Sequence, residues 1–75
     1  IETENVRVYP NPASELLIAN GDKYILKVEL ISLNGQVVAS ADGNVLNVSN
    51  IPSGIYVAKI HTQNGYGVKQ VMVKH

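Results

Sequence analysis

The side chains able to do chemistry are few in this 75-residue sequence, and they are scattered. There are two histidines, His61 and His75, and no cysteine, so thiolate catalysis, disulfides and cysteine-ligated metal are excluded. Neither histidine stands at a metal-ligand spacing such as H-x-E or H-x3-H. Ser14, Ser49, His61 and Asp42 supply the residue types of a hydrolytic triad, but no nucleophile elbow or oxyanion loop accompanies them. Glu2, Glu4 and Glu15 read as solvated charge. Gly65-Tyr66-Gly67 reads as a hairpin running into a strand, whereas phosphate cradles open a helix. Asn47-Val48-Ser49 fits the N-glycosylation acceptor pattern, a triplet common by chance. Tyr24 and Tyr66 could offer a sugar-stacking platform, but strand-end packing is the simpler reading. The expectation is a domain without catalytic, cofactor or metal residues.

Charge points the same way. Six basic and six acidic residues give a formal net charge of +0. Arg7, Lys23, Lys27, Lys59, Lys69 and Lys74 are dispersed, so no basic patch invites nucleic acid or anionic lipid. No apolar run reaches the roughly 18–20 residues of a membrane span. The opening IETENVRVYP lacks the regions of a signal peptide, which places any export signal of a parent protein outside this sequence.

These side chains must be held by strands. Valine and isoleucine dominate the apolar residues and suit a pleated surface. Gly, Pro and Asn punctuate them at short intervals, and no window sustains a helical period. The pattern predicts seven strands: Val6–Tyr9, Glu15–Ala19, Tyr24–Leu33, Gln36–Ala41, Val45–Val48, Ile55–Thr62 and Tyr66–Lys74. In the third, Tyr24, Leu26, Val28 and Leu30 form the apolar face, with Lys27 and Glu29 opposite. In the sixth, Tyr56, Ala58 and Ile60 form it, with Lys59 and His61 opposite. Pro10-Asn11-Pro12 ends the first strand. Asn34-Gly35 is expected to supply the positive φ angles of a two-residue hairpin, and Asn64-Gly65 another hairpin. Seven short strands need a second layer, so the expected fold is all-β, an immunoglobulin-like seven-stranded antiparallel β-sandwich. Tyr56, just past the glycine of Ser53-Gly54-Ile55, stands where such sandwiches carry a tyrosine corner. Gly54 gives the chain room to turn there, and a positive φ would make Gly54→Val cost roughly 1–3 kcal/mol. The chain reads as one domain with its core at 6–74 and a linker end at 1–5.

Four segments, in order, resemble a known family. They are Val8-Tyr9-Pro10-Asn11-Pro12-Ala13-Ser14, similar to an opening Y-P-N-P, followed by the apolar pair Leu17-Ile18; Val28–Val38, similar to a strand–N-G–strand hairpin; Leu46–Tyr56, similar to L-P-x-G-x-Y; and Lys69–Lys74, similar to a terminal strand with a lysine at each end. The set resembles the C-terminal sorting domain of the bacterial type IX (Por) secretion system. Departures are small: Asn47 where Asp is common, Met72 for a β-branched residue, and His75 after the last lysine. The resemblance implies an immunoglobulin-like domain fused behind an exported cargo and directing it across the outer membrane to the cell surface or medium. It implies as partners the type IX machinery, including a cargo-shuttle protein and a sortase-like transpeptidase. It places recognition towards the C-terminal end, at Lys69–Lys74.

The terminal strand can also be read from its residues. Lys69, Val71 and Val73 alternate with Val68, Gln70, Met72 and Lys74, so both faces carry apolar groups. An apolar edge strand is a hazard unless it is used, so Lys69, Val71, Met72, Val73 and Lys74 are expected to form a docking surface, with strand addition and self-association as routes. Pro10, Asn11, Pro12, Gly35, Gly54 and Tyr56 are expected to serve the fold. The rival reading is an adhesive or carbohydrate-binding immunoglobulin-like module on a secreted hydrolase, or a docking domain retained by a secretion-pathway component.

Overall fold

A computed structural model describes residues 5–75. Glu2, Glu4 and most of the expected linker end lie outside the described residues. Seven strands follow in order: β1 (Val6–Tyr9), β2 (Leu16–Gly21), β3 (Ile25–Ile31), β4 (Val37–Asp42), β5 (Val45–Asn47), β6 (Gly54–Thr62) and β7 (Tyr66–Val73). They form two antiparallel sheets, β1-β2-β5 and β4-β3-β6-β7. The core lies between them: Val6, Leu17 and Leu46 from the first sheet meet Val28, Leu30, Ile60, Val71 and Val73 from the second. Without disulfides, this interdigitated aliphatic layer supplies the main favourable term.

The second sheet is ruled by cross-strand rows. Val28 pairs with Ile60, and Leu30 with Ala58, each with zero exposure. Between these rows, Glu29 pairs with Lys59 and Ile31 with Val57, all turned away from the core. The pairing of β3 with β6 slips between Ile25 and Lys27, leaving Leu26 as an extra residue. This bulge corrects the expected apolar face of the third strand. Ile25 points inward at 7% exposure, while Leu26 is 42% exposed and Tyr24, read as strand-end packing, is 71% exposed. The carbonyl of Leu26 accepts from Gly43 N at 2.9 Å, tying the bulge to the corner where the chain passes to the other sheet.

The β3–β4 hairpin also differs from its expected form. Only Gly35 has positive φ, 91°, and Asn34 does not. Gly35 N donates to Ser32 O at 2.9 Å and Ser32 N to Gln36 O at 2.8 Å. The loop is therefore Leu33-Asn34-Gly35, the three-residue kind in which a right-handed turn is closed by one left-handed glycine. At the β5–β6 corner, the Tyr56 hydroxyl donates to Pro52 O at 2.6 Å, the expected tyrosine corner. Gly54 does not have positive φ, and a Cβ there would meet the Tyr56 ring at an ordinary 3.6 Å. The corner turns on the tyrosine and Pro52, so the premise of a costly Gly54→Val falls away.

Two stability outcomes follow from this packing. Ile25→Ala should cost about 2–4 kcal/mol and Leu26→Ala under about 1 kcal/mol, read from urea midpoints; the opposite order would contradict the bulge. Gly35→Ala should cost about 1 kcal/mol, whereas Gly54→Ala should be neutral or stabilising by under about 1 kcal/mol.

Candidate docking surface on the terminal strand

β7 is an edge strand, paired along its length with β6 from Gly54↔Val73 to His61↔Tyr66. Alternation separates its side chains into two sets. Val71 and Val73 point into the core at 1% exposure each, because they lie opposite Tyr56 and Gly54 on the inner face. This corrects the expectation for these two residues: in the folded domain no partner can touch their side chains. Met72 lies opposite Ile55 on the outer face and is 40% exposed. Lys69, Gln70 and Lys74 are exposed as well. Of the five residues expected in the surface, Lys69, Met72 and Lys74 present side chains to solvent, and Val71 and Val73 anchor them.

The Tyr9–Pro10 and Asn11–Pro12 peptide bonds are both cis. From the end of β1 this segment crosses to the other sheet and lies along the free edge of β7. Ala13 forms a parallel bridge with Val73 and is fully buried. Ala13 N donates to Met72 O at 2.8 Å, and Lys74 N donates to Ala13 O at 2.9 Å. One turn earlier the Asn11 side chain does the same work. Met72 N donates to Asn11 Oδ1 at 3.0 Å, and Asn11 Nδ2 donates to Gln70 O at 3.4 Å. The edge from Gln70 to Lys74 is thus occupied, and self-association by strand addition there would first have to strip this segment off. The Asn11 contact and the part played by Gln70 were missed in the sequence. The signal was there: Pro10 and Pro12 have no N–H, so the Asn11 carboxamide is the segment's most versatile hydrogen-bonding group.

His75 also reaches back across the fold. Its N–H donates to Ser53 Oγ at 3.0 Å, and its ring Nε2 bonds Ile51 O at 2.8 Å. The end of β7 is thereby clasped on one side by the Pro10–Ala13 segment and on the other by the tyrosine corner.

The outer face of the larger sheet divides in two. At one end Glu29 takes a hydrogen bond from His61 Nε2 at 2.6 Å, and Lys27 Nζ stands 3.7 Å away. Lys59 Nζ lies 4.3 Å from the centre of the Tyr66 ring. At the other end the rows Val37–Ile31–Val57 and Ile55–Met72 form an apolar strip across all four strands. The His61 hydrogen bond, aided by Lys27 and Lys59, holds the Glu29 carboxyl below the usual glutamate range against a smaller opposing effect of burial.

The triad residue types are not assembled: His61 is engaged by Glu29, and Ser49 Oγ donates to Asn47 Oδ1 at 2.6 Å. Asn47 Oδ1 also accepts from Ser49 N at 2.9 Å, so the glycosylation-like triplet forms the turn that closes β5. Among the described residues no group of three His, Cys, Asp or Glu is placed to hold a metal ion.

The chain belongs to the secretion system C-terminal sorting domain family, whose model matches residues 7–74. It is 33% identical over 73 residues to Beta-agarase D of Zobellia galactanivorans, a match covering 95% of this chain and 15% of that protein. The chain spans 15% of that relative's length, and its function is that of a type IX sorting signal, as carried by secreted or surface proteins.

Glu29 provides a pH test. Its folded pKa is lowered, so the stability it contributes is complete above the ordinary glutamate value, about 4.3, and is lost as pH falls through the lower folded value. The stability gap between wild type and Glu29→Gln should therefore be widest near neutrality and close as pH drops below about 4, measured by urea titration at several pH values. A gap that widens in acid would contradict the assignment.

Proposed function

We infer that the domain acts as a folded address at the outer membrane, read through the exposed side chains of β7 and not as an unfolded peptide. Lys69, Met72 and Lys74 make the contacts, and Val71 and Val73 lock the strand that carries them. The reader is the type IX secretion machinery, with a cargo-shuttle protein and a sortase-like transpeptidase acting on the N-terminally fused cargo. The observation that carries this reading is the division of β7 into a buried valine pair and an exposed Lys–Gln–Met–Lys set. Met72 counts because it does not stand alone: it joins Ile55, Val57, Ile31 and Val37 in an apolar strip on the outer face, and a contiguous strip of this kind marks an interaction surface. The match to 15% of Beta-agarase D supports a parent protein much longer than the domain, with the cargo outside it.

The test is a reporter carrying residues 1–75 at its C-terminus in a bacterium with a type IX system. Deleting residues 69–75 should abolish secretion while the reporter is still made. Because that deletion also removes core valines, the exposed set is tested separately. Lys69→Glu with Lys74→Glu, and Met72→Asp, should each lower secretion roughly tenfold while leaving the urea midpoint close to wild type. Undiminished secretion in both exposed-site variants would overturn the reading.

A further inference from the structure

We propose that Asn11 is a positioning residue of the sorting surface: its carboxamide keeps the end of β7 closed, and the machinery reads this closed edge by side-chain contact and not by adding a strand to it. The inference rests on the function proposed above and specifies how the surface is built.

An edge strand offers a row of peptide groups to any extended chain that approaches. Along β7 and the residue that follows it, four such groups, Gln70 O, Met72 N, Met72 O and Lys74 N, are already bonded to Asn11 and Ala13. In a regular ladder in phase with Ala13, the bonds to Gln70 O and Met72 N would be made by the peptide N–H and C=O of Asn11; here its side chain makes them instead. A carboxamide has the donor and acceptor of a peptide group, and Asn11 directs both at the strand, two residues before Ala13 resumes with its backbone. Ala13 fixes the segment by burying its methyl group beside Val73.

The remaining stretch of edge, towards Tyr66, is guarded differently. Lys69 lies opposite the fully buried Ala58, in the core-facing phase of the strand, yet is itself exposed. A charged residue in that phase is a device that discourages edge pairing. With the backbone closed on one half and guarded on the other, side chains remain for a partner. Asn11, Ile55, Gln70 and Met72 surround a shallow depression of about 180 Å³. Neither Lys69 nor Lys74 has a carboxylate partner among the described residues. Lys74 shares the phase of Met72 and Lys69 does not, so the matching surface is an apolar spot for Met72 and Ile55 with a carboxylate at its Lys74 end.

The experiment compares Asn11→Ala with Asn11→Asp, which keeps an oxygen to accept from Met72 N–H. Amide hydrogen exchange is followed by NMR, and secretion by the reporter carrying residues 1–75. In Asn11→Ala the Met72 amide should exchange roughly tenfold faster while Val28 and Ile60 keep their protection, and secretion should fall. Asn11→Asp should restore Met72 protection, because it keeps the acceptor, while leaving Gln70 O without its donor and secretion between that of wild type and Asn11→Ala. Unchanged Met72 exchange in Asn11→Ala would overturn the proposal whatever secretion does. So would loss of protection at Val28 and Ile60, which would make Asn11 a determinant of overall stability. Faster exchange with equal or greater secretion would also overturn it, because an opened edge would then be the form that is read. The exchange measurement is independent of secretion, so it can fail while the exposed-site variants still uphold the function, and the reverse.

Discussion

A sheet that does not close into a barrel has edges, and every other feature of this domain's terminal strand depends on how one of them is finished. The free edge of β7 carries backbone groups that must bond to water, to a partner or to the chain itself. Here the chain supplies its own partner, from a segment about sixty residues earlier (the Asn11 contacts have sequence separations of 59 and 61). With that choice the outward-facing backbone groups from Gln70 to Lys74 are bonded, while Val71 and Val73 stay buried and Met72 stays outside. The same bonds convert a surface prone to indiscriminate pairing into one with a defined shape.

The rest of the fold serves to hold the two halves of this contact in register. The Pro10–Ala13 segment hangs between β1 and β2 of one sheet, and β7 belongs to the other. Only the core between the sheets fixes their relative position. Leu17, Val28, Leu30 and Ile60 are therefore remote from the surface and still necessary to it. The tyrosine corner works at the opposite flank: Tyr56 fixes the Ile51–Ser53 turn through Pro52, and His75 bonds that turn. In a domain with no disulfide, these two clasps pin the last strand where packing alone would let it fray.

Much of this was legible in the sequence, because strands write a local signature. Alternation identified all seven strands, and in β6 it assigned Tyr56, Ala58 and Ile60 to the core face, as found. Alternation carries phase only while the pairing is regular. At Leu26 an extra residue is absorbed by the pairing with β6, and the phase of β3 flips in a way that β3's own residues do not record. Glycine marked both the hairpin and the corner, but residue type could not distinguish the positive φ of Gly35 from the ordinary backbone of Gly54. The edge was the least legible part. Lys69–Lys74 looked like an open strand because its closing partner lies at the other end of the domain, in a stretch that reads as a turn.

The separation of Asn11 and Ala13 from Met72 and Lys74 also sets an order in time. On a ribosome the proline segment is finished long before its partner strand exists, and during that interval it has nothing to bind. On the proposed reading, the addressing surface comes into being only when β7 has been made and has paired with this segment. On that reading, an address of this construction certifies as well as directs: a chain whose β7 is missing or has not folded against this segment lacks the label.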